Sequence, residues 1–318
     1  MAAGISRRQA LATVLGAASS VALARSAQAQ TPVKLKVGFS PINEYTGLFV
    51  AKDQGFFERR GLDVEPTLIQ NNATIPPALV GNSIQLGTPS VSTILQALEG
   101  GLPLQLICGA GVFSAAKPSI SLVAKVGSGF TKAEDFRGKR IGVSALNALF
   151  HIVVKEWLSK GGVDPKTVSF VETPFTQMFD MLRGGQVDAL VASEPVLSRI
   201  LNGGVGERVG NILTAVMDNA LSGNYSTTVD FARKNRAAMV SFKAAIEEGH
   251  AFAQSNPKAA GESIARYLQL DEKIAAALPA PILRSRIDRE QVEFWIKVAK
   301  SQGLIRREIS IESLMGEA

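Results

Sequence analysis

Hydrophobic and polar positions follow one short pattern at two places, about a hundred residues apart, in this 318-residue chain. Residues 78–87 and 181–190 each begin with the apolar residues of a helix, turn on glycine and polar residues, and then alternate apolar with other residues. Glycine accepts the left-handed backbone that ends many helices, and the spacing of Ile84 and Leu86 is typical of a strand. The repetition predicts two similar α/β lobes with a cleft between them.

The same pattern continues on both sides of these stretches, with short apolar strands separated by helices. Helices between strands indicate a sheet that is covered on both faces. We therefore predict an α/β fold of two lobes with mostly parallel sheets. Strands are predicted at 34–39, 64–69, 84–87, 104–108, 119–125, 140–143, 168–171, 189–192 and 225–231. Helices are predicted at 48–54, 75–80, 91–98, 148–160, 175–183, 195–201, 236–255, 257–268, 272–277 and 288–301.

Two segments are expected to connect the lobes, because the chain returns to the first lobe after the second is complete. The first lobe is predicted to contain residues 31–118 together with 222–318, and the second lobe residues 119–221. Two crossings of the chain form a paired hinge, which suits a bending motion.

The composition is that of a well-buried globular protein, with 46% hydrophobic and 19% charged residues. The net charge is +6, but Arg7, Arg8 and Arg25 lie in an acid-free stretch of 30 residues at the start of the chain. The remainder has 31 basic and 28 acidic residues, a net charge of +3. Nucleic-acid binding needs a clustered basic face, so we do not expect a nucleic-acid partner.

Residues 1–30 are predicted to be an export signal that is removed at the sequence Ala-Gln-Ala, residues 27–29. The paired arginines after Ser6 resemble a twin-arginine signal. Ala10 stands where that motif prefers a bulky apolar residue, so the general secretion route stays open. The apolar run is too short to span a bilayer. We expect an exported protein that diffuses freely in a bacterial periplasm.

Few residues are suited to metal, redox or nucleophilic chemistry. Cys108 is the only cysteine, and His151 and His250 are the only histidines. A zinc site of the usual ligand number needs more cysteines and histidines than these, and two distant histidines leave little for a Ser-His-Asp arrangement. The glycine-rich motifs that bind phosphate are also absent. We expect no cofactor, no metal and no enzymatic activity. His250 is expected on a solvated helix face, and His151 lies close to the cleft end of its helix.

Ligands of open α/β sheets bind beyond the carboxyl ends of the strands, where helix N-termini favour acceptor atoms and anions. The loops at those ends contain our candidate ligand-binding residues. They are Asn43, Tyr45, Asn72, Thr74, Ser90, Asn147, Phe150, Phe175 and Glu194.

Each candidate also has a structural interpretation. Tyr45 could stack on a planar ligand or cover a neighbouring helix. Phe150 and Phe175 could form an apolar clamp or pack in the core. Asn72, Thr74 and Ser90 could contact the ligand or cap helices, and capping excludes no contact. Glu194 could bind an amine or ring N–H of the ligand, or it could interact only with the helix dipole.

Several stretches match one family of transport proteins over nearly the whole chain after residue 30. They are GFSP at 38–41, FVAKDQGFF at 49–57, GLDV at 61–64, DFRGKRIGV at 135–143, GGQVDA at 184–189 and EP at 194–195. The chain resembles the periplasmic binding proteins for nitrate, sulfonates, taurine and thiamine-pyrimidine precursors, and their relatives the thiamine-pyrimidine synthases. The resemblance implies a type II periplasmic binding fold that serves an ATP-driven importer.

One departure from the family bears on the ligand. Many relatives have Gly-Ser-Ser or Gly-Ser-Thr at a helix start in the second lobe, whereas residues 147–150 here are Asn-Ala-Leu-Phe. Because an anion without hydrogen-bond partners is costly to desolvate, this loss makes a nitrate or sulfonate pocket less favourable. We expect a small organic ligand that is aromatic, heterocyclic or, as a remaining option, sulfonate-like.

The leading hypothesis is a monomeric solute-binding protein that closes over a small molecule and delivers it to the membrane permease of an ABC importer and its ATPase. A thiamine-pyrimidine synthase of the same fold is one alternative, but that family uses a cysteine-rich motif and Cys108 stands alone. A periplasmic sensor component that presents its ligand to a receptor is another.

Overall fold

The computed structural model describes residues 31–316, so the predicted export signal lies outside the described residues. The strands are β1 (Val33–Phe39), β2 (Leu62–Leu68), β3 (Leu86–Gly87), β4 (Leu104–Val112), β5 (Ile120–Lys125), β6 (Arg140–Val143), β7 (Ser169–Glu172), β8 (Ala189–Ser193), β9 (Gly206–Val209) and β10 (Leu221–Thr228). The α-helices are Thr46–Asp53, Ile75–Val80, Val91–Glu99, Leu149–Lys160, Met178–Arg183, Val196–Asn202, Val229–Lys234, Arg236–Ser255, Pro257–Leu268, Glu272–Ala276, Arg289–Ser301 and Ile311–Met315.

The strands form two five-stranded sheets, in the orders β2-β1-β3-β10-β4 and β7-β6-β8-β5-β9. In the first sheet β1 is parallel to β2 and β3, whereas β10 is antiparallel to β3 and β4. In the second sheet β6 is parallel to β7 and β8, whereas β5 is antiparallel to β8 and β9. Each sheet is therefore mixed, but four of its five strands run in the same direction and only β10 or β5 runs against them, so the prediction of mostly parallel sheets is confirmed. The antiparallel pairs arise where β10 and β5 enter a sheet from the connecting segments.

Two connecting segments leave the first sheet side by side. Val112 at the end of β4 is the register partner of Leu221 at the start of β10. Beyond that pair, the Phe113 backbone N–H donates to the Ala220 carbonyl at 2.8 Å, and Asn219 donates to the Phe113 carbonyl at 2.9 Å. The chain between these points, residues 120–209, contains all strands of the second sheet. Paired crossings of this kind can bend together.

Burial follows the alternation seen in the sequence. Leu35, Val37 and Phe39 of β1 are at most 2% exposed, whereas Lys34 and Lys36 between them are exposed. Helices cover the sheets, and their buried apolar residues join the strands in the core. Cys108, on β4, is buried within the first sheet's core. None of the helices within residues 31–316 has the length and hydrophobicity needed to cross a membrane.

Predicted elements differ from the structure mainly at their ends. The predicted strand 225–231 is wrong at both ends: β10 spans Leu221–Thr228, and a helix starts at Val229 because the Thr228 side chain accepts a hydrogen bond from the Phe231 N–H. The helix predicted at 175 begins at Met178. Strand β9 and the helix Ile311–Met315 were not predicted, since neither has a clear apolar period.

Candidate ligand-binding site between the two sheets

The candidate site lies where the carboxyl end of β1 in the first sheet meets the carboxyl end of β8 in the second sheet. A short 3-10 turn, Asn43–Tyr45, follows β1, and Glu194 follows β8 directly. The Asn43 backbone N–H donates to the Glu194 carbonyl at 3.3 Å. The carboxyl ends of one strand from each sheet therefore meet, which is where ligands bind in α/β folds.

Buried polar atoms without a hydrogen-bond partner gather around this contact. They are Asn43 Oδ1, Glu44 Oε2, Ser119 Oγ, Ser193 Oγ and Ser222 Oγ. Native proteins pair nearly all buried polar groups, so a group of unpaired ones at one place points to a ligand. We call Asn43, Glu44, Ser119, Ser193, Glu194 and Ser222 the polar cluster.

Gly111 shows how closely two members of the polar cluster approach each other. A Cβ atom built at Gly111 would lie 3.1 Å from Ser222 Oγ and 3.3 Å from Glu44 Cγ. The Ile282 carbonyl oxygen would lie 3.1 Å from the same point. Because all three approach so closely, a side chain at position 111 would crowd the Glu44 carboxyl.

Glu44 is an acid in an apolar setting, with 3% of its surface exposed. The pKa of Glu44 is raised from 4.5 to about 7, chiefly by burial and to a smaller extent by the charge of Glu194, while its own backbone N–H and the neighbouring Ser119 hydroxyl oppose the rise. No lysine or arginine contributes to this pKa.

Glu194 is 2% exposed and already has a structural partner. Its Oε2 atom accepts a hydrogen bond from the Ser198 N–H at 3.0 Å, which caps the helix Val196–Asn202. This is the helix-terminus role that the sequence indicated, and it leaves the carboxyl group beside Glu44. Pro195 is the residue before the first helical position rather than the first itself.

Asn72 holds the neighbouring loops of the first sheet together. Its amide nitrogen donates to Ser40 Oγ at 3.1 Å and to the Thr88 carbonyl at 2.9 Å. Its amide oxygen accepts from the Ser90 N–H at 2.9 Å and from Thr93 Oγ1 at 3.1 Å. This side chain is occupied by protein partners and therefore positions the loop.

Ser90 and Thr74 both precede helices, but only Ser90 acts as a cap. Ser90 Oγ accepts from the Thr93 N–H at 3.2 Å and lies 2.7 Å from the Thr93 hydroxyl. Thr74 is exposed, and its hydroxyl donates to the Asn71 carbonyl at 2.8 Å. Thr74 is not brought together with the polar cluster by any hydrogen bond.

The three aromatic candidates lie in buried packing. Tyr45 is 3% exposed, and its ring meets that of Tyr225 edge-on at 5.8 Å between centroids. Burial raises the pKa of the Tyr45 phenol, whose hydroxyl lies beside Thr88. Phe150 and Phe175, both buried, form an edge-to-face pair at 6.1 Å. Their pairing fits an apolar clamp as well as core packing.

Asn147 connects the two halves through its backbone. It has a left-handed φ of 59°, and its carbonyl accepts a hydrogen bond from Gln96 Nε2 at 2.9 Å. Gln96 belongs to the helix Val91–Glu99, which packs beside the first sheet. The Asn147 N–H donates to His151 Nδ1 at 2.8 Å, which fixes the loop before the next helix.

Both histidines are buried, so the prediction that His250 lies on a solvated face is wrong. His250 is 5% exposed because the helix Arg236–Ser255 presses that face onto the helix Thr46–Asp53. Burial lowers the pKa of His250 and of His151 to about 4. His151 also meets Phe170 edge-on at 4.3 Å. Neither ring is suited to hold a proton at neutral pH.

Metal-binding clusters are not found within the described residues. Cys108 is buried, and burial raises the pKa of its thiol. Two surface depressions lie elsewhere, one lined by Lys34, Asp63 and Gln85 and the other by Trp157 and Lys160. Within the described residues, five of the ten buried polar side-chain atoms without a hydrogen-bond partner belong to the polar cluster.

Asn43 and Glu194 of the polar cluster were among the candidates from the sequence, whereas Glu44, Ser119, Ser193 and Ser222 were not. A signal for Glu44 existed, since it is a charged residue between two predicted contacts in a loop that follows a buried strand. The three serines had no such signal in the sequence, because a single serine is as common in a solvated loop as at a binding site.

Comparison with solved structures identifies proteins of the same fold. The alkanesulfonate-binding protein SsuA from Xanthomonas axonopodis pv. citri, bound to MOPS, superposes with a TM-score of 0.77 at 16% identity, covering 90% of this chain and 99% of that one. The periplasmic nitrate-binding protein NrtA from Synechocystis PCC 6803 gives a TM-score of 0.76 at 14% identity, covering 89% and 84%. These likenesses confirm the predicted periplasmic binding protein fold.

Sequence comparison finds relatives that match a smaller part of the chain at higher identity. The nitrate import ATP-binding protein NrtC from Synechocystis is 27% identical over 206 residues, which is 59% of this chain and 30% of that protein. The chain spans less than half the length of the nitrate and bicarbonate transport proteins among its curated relatives. The profile of the family described as NMT1/THI5 like matches residues 42–260, well over half of the chain. This chain therefore belongs to the NMT1/THI5-like family.

Proposed function

We propose that this protein is the solute-binding component of an ABC importer. It captures a small organic molecule between its two sheets, closes by bending at the paired crossings, and delivers the molecule to a membrane permease with its ATPase. One observation carries the proposal: the backbone contact between Asn43 and Glu194 joins the two sheets beside buried polar atoms that have no protein partner.

The lobes of this proposal are those predicted from the sequence, residues 31–118 with 222–318 and residues 119–221. Sheet membership supports the division, since β10 returns to the first sheet after β5 to β9 have formed the second. Export by the predicted twin-arginine signal would bring the chain to the periplasm as a monomer, where the permease is accessible.

The ligand in this proposal is organic and partly apolar. The relatives are named for nitrate, bicarbonate and alkanesulfonate, all of them anions. Two carboxyl groups, Glu44 and Glu194, stand in the polar cluster, and an anion beside them would be repelled as well as desolvated. The buried pair Phe150 and Phe175 suits an aromatic or heterocyclic part of the ligand.

Binding is favoured over catalysis. An enzyme of the thiamine-pyrimidine synthase kind would need a reactive thiol and an accessible histidine, whereas burial removes Cys108 and both histidines from solvent. A sensor component that presents the same ligand to a receptor would have the same site. Pull-down of the permease by the ligand-loaded protein would separate transport from sensing.

Native mass spectrometry of the protein purified from its own host tests the proposal. We expect a bound organic molecule that is lost on unfolding, and we expect the refolded protein to become more compact in X-ray scattering when that molecule is returned. If a broad metabolite panel leaves both the mass and the scattering curve unchanged, the proposal is wrong.

A further inference from the structure

Two acids are buried together at the contact between the sheets. Glu44 and Glu194 are 3% and 2% exposed. The backbone N–H of Asn43, the residue before Glu44, donates to the Glu194 carbonyl at 3.3 Å, so the two acids lie on adjoining segments, and the charge of Glu194 contributes to the raised pKa of Glu44, whereas no lysine or arginine does. Acids are rarely buried without a partner, because an unpaired buried charge is costly.

Structural roles account for only part of this pair. Glu194 caps a helix through Oε2. Glu44 lies in a three-residue turn, where no side chain caps the N-terminus, and its Oε2 atom is buried without a hydrogen-bond partner. Replacing Glu44 by an apolar residue would remove the desolvation penalty. The position therefore holds an acid at a cost to stability that packing does not explain.

The remaining unpaired atoms of the polar cluster are able to accept hydrogen bonds. The amide nitrogen of Asn43 donates to the Pro279 carbonyl at 2.9 Å, so its Oδ1 atom is the free end and can only accept. The hydroxyls of Ser193 and Ser222 can accept or donate. A ligand that supplies N–H donors and positive charge would satisfy these acceptors together.

We propose that Glu44 and Glu194 form a two-carboxyl receptor for a cationic group of the ligand, such as a protonated amine, an amidinium or a protonated ring nitrogen. This inference rests on the proposed function and adds the charge class of the solute. One cation placed between two acids removes their mutual repulsion and gains charge-assisted hydrogen bonds, which are about twice as strong as neutral ones. Nitrate, bicarbonate and sulfonates are excluded from this position by the same charges.

Matched aromatic probes test the charge preference directly. Thermal melting and calorimetry at pH 8 would compare benzamidinium, benzylammonium and 4-aminopyridinium with the neutral benzamide and the anions benzoate, benzenesulfonate and nitrate. We expect stabilisation by at least one cationic probe and by none of the anions. Stabilisation by the anions alone, or by none of the cations, would overturn the inference.

Variants test whether binding of the cationic probe depends on these two carboxyl groups. Glu44→Gln and Glu194→Gln keep the shape of each side chain, and each should weaken binding of the responsive cationic probe at least tenfold. The control is Glu65→Gln, because Glu65 is an exposed acid whose side chain is 65% accessible and whose partner is Lys36 at 3.7 Å. We expect that control to bind the probe like the unaltered protein. Equal affinity in all three variants would refute the role of the pair.

The outcomes also distinguish failure of this inference from failure of the proposed function on which it rests. An anionic or neutral organic solute that binds, compacts the protein and ignores both Glu→Gln changes would leave the solute-binding function in place and reject the carboxyl receptor. Failure of every probe and of the metabolite panel, with no compaction, would reject both.

Discussion

Burial of the Glu44 carboxyl makes its protonation part of the folding equilibrium. Its pKa is 4.5 when exposed and about 7 in the folded chain, because burial disfavours the charged form. The folded state therefore binds the proton more tightly than the unfolded state between these values. The stability that this group contributes is fully present below pH 4.5 and is lost as the pH rises through 7. The loss amounts to about 3 kcal/mol.

Replacement of Glu44 by glutamine should remove that pH dependence. We expect ligand-free Glu44→Gln to melt at a higher temperature than the unaltered protein at pH 8, with the difference disappearing near pH 4. The lowered pKa values of His151 and His250 make the unaltered protein and the variant less stable in acid to the same extent. This effect therefore cancels in the comparison. Differential scanning fluorimetry from pH 4 to 8 measures it. Parallel curves at all pH values would show that Glu44 is not desolvated.

The sequence was informative about position at the residue scale where the strand end was clear. Asn43 and Glu194 follow apolar strands, and the structure brings their backbones into contact, while their role in ligand binding stays a prediction. Glu44 was missed because its importance lies in burial by residues distant in the chain, among them Ser119 and Gly111. His250 was placed wrongly for the same reason, since the helix that covers it cannot be read from local charge pattern.

Two helices cross at unusually short range, and glycine permits it. A Cβ atom at Gly249 would lie 2.3 Å from the Gly47 carbonyl oxygen, and one at Gly47 would lie 2.1 Å from His250 Cδ2. The helices Thr46–Asp53 and Arg236–Ser255 therefore pack backbone against backbone. Since Thr46 follows the Asn43–Tyr45 turn directly, this crossing also positions Glu44.

Alanine at this crossing should separate the helices. We expect Gly249→Ala to lower the free energy of unfolding by about 1–3 kcal/mol, because overpacking forces backbone shifts. The matched control is Gly261→Ala, also within a helix, where the nearest atom would be an ordinary 3.5 Å away. That change should stabilise by up to about 1 kcal/mol, the usual preference of a helix for alanine over glycine. Urea denaturation measures both, and equal effects would contradict the crossing.

Elements with strong local signals were predicted to the residue. The helices Arg236–Ser255 and Pro257–Leu268 match the predicted bounds, since Pro257 both ends one helix and suits the first turn of the next. Strand β9 was missed because Glu207 and Arg208 interrupt the apolar pattern. Strand β10 began later in the prediction because Ser222 and Asn224 are polar, yet both are buried by partners across the sheet.

At the scale of the whole molecule, two glutamines hold the halves together in addition to the Asn43–Glu194 contact. Gln96 Nε2 donates to the Ser92 and Asn147 carbonyls, at 3.0 and 2.9 Å. Gln302 Nε2 donates to the Ile152 carbonyl at 2.9 Å, on the helix Leu149–Lys160 beside the second sheet. Both of these bonds end on backbone carbonyls, and Gln302 Nε2 also lies 3.4 Å from the Glu156 carboxylate on the same helix.

Removal of both amides should favour the open form. We expect ligand-free Gln96→Ala/Gln302→Ala to have a larger radius of gyration in small-angle X-ray scattering, because each lost hydrogen bond removes about 1 kcal/mol from the closed form. Gln85→Ala is the control, since its amide bonds to Asn82 and Lys36 within the first half. An unchanged radius in the double variant would mean that closure does not depend on these bonds.

The repeated helix-turn-strand unit was enough to predict two sheets and the return of the chain to the first one. Which strand of each sheet is reversed, β10 or β5, was not predicted, because a short strand has the same alternation whichever way it runs. The relation between the sheets, and so the meeting of Glu44 with Glu194, depends on the connecting segments, whose sequence has no periodic signal.

The buried thiol on β4 can report how often the first sheet opens. Cys108 is the only sulfhydryl in the chain, and it lies 1% exposed where β4 pairs with β10. A thiol-specific reagent can reach it only in those moments when the first sheet parts. The rate of labelling in otherwise native conditions then reports how often that half opens, and no cysteine has to be introduced or removed for the measurement.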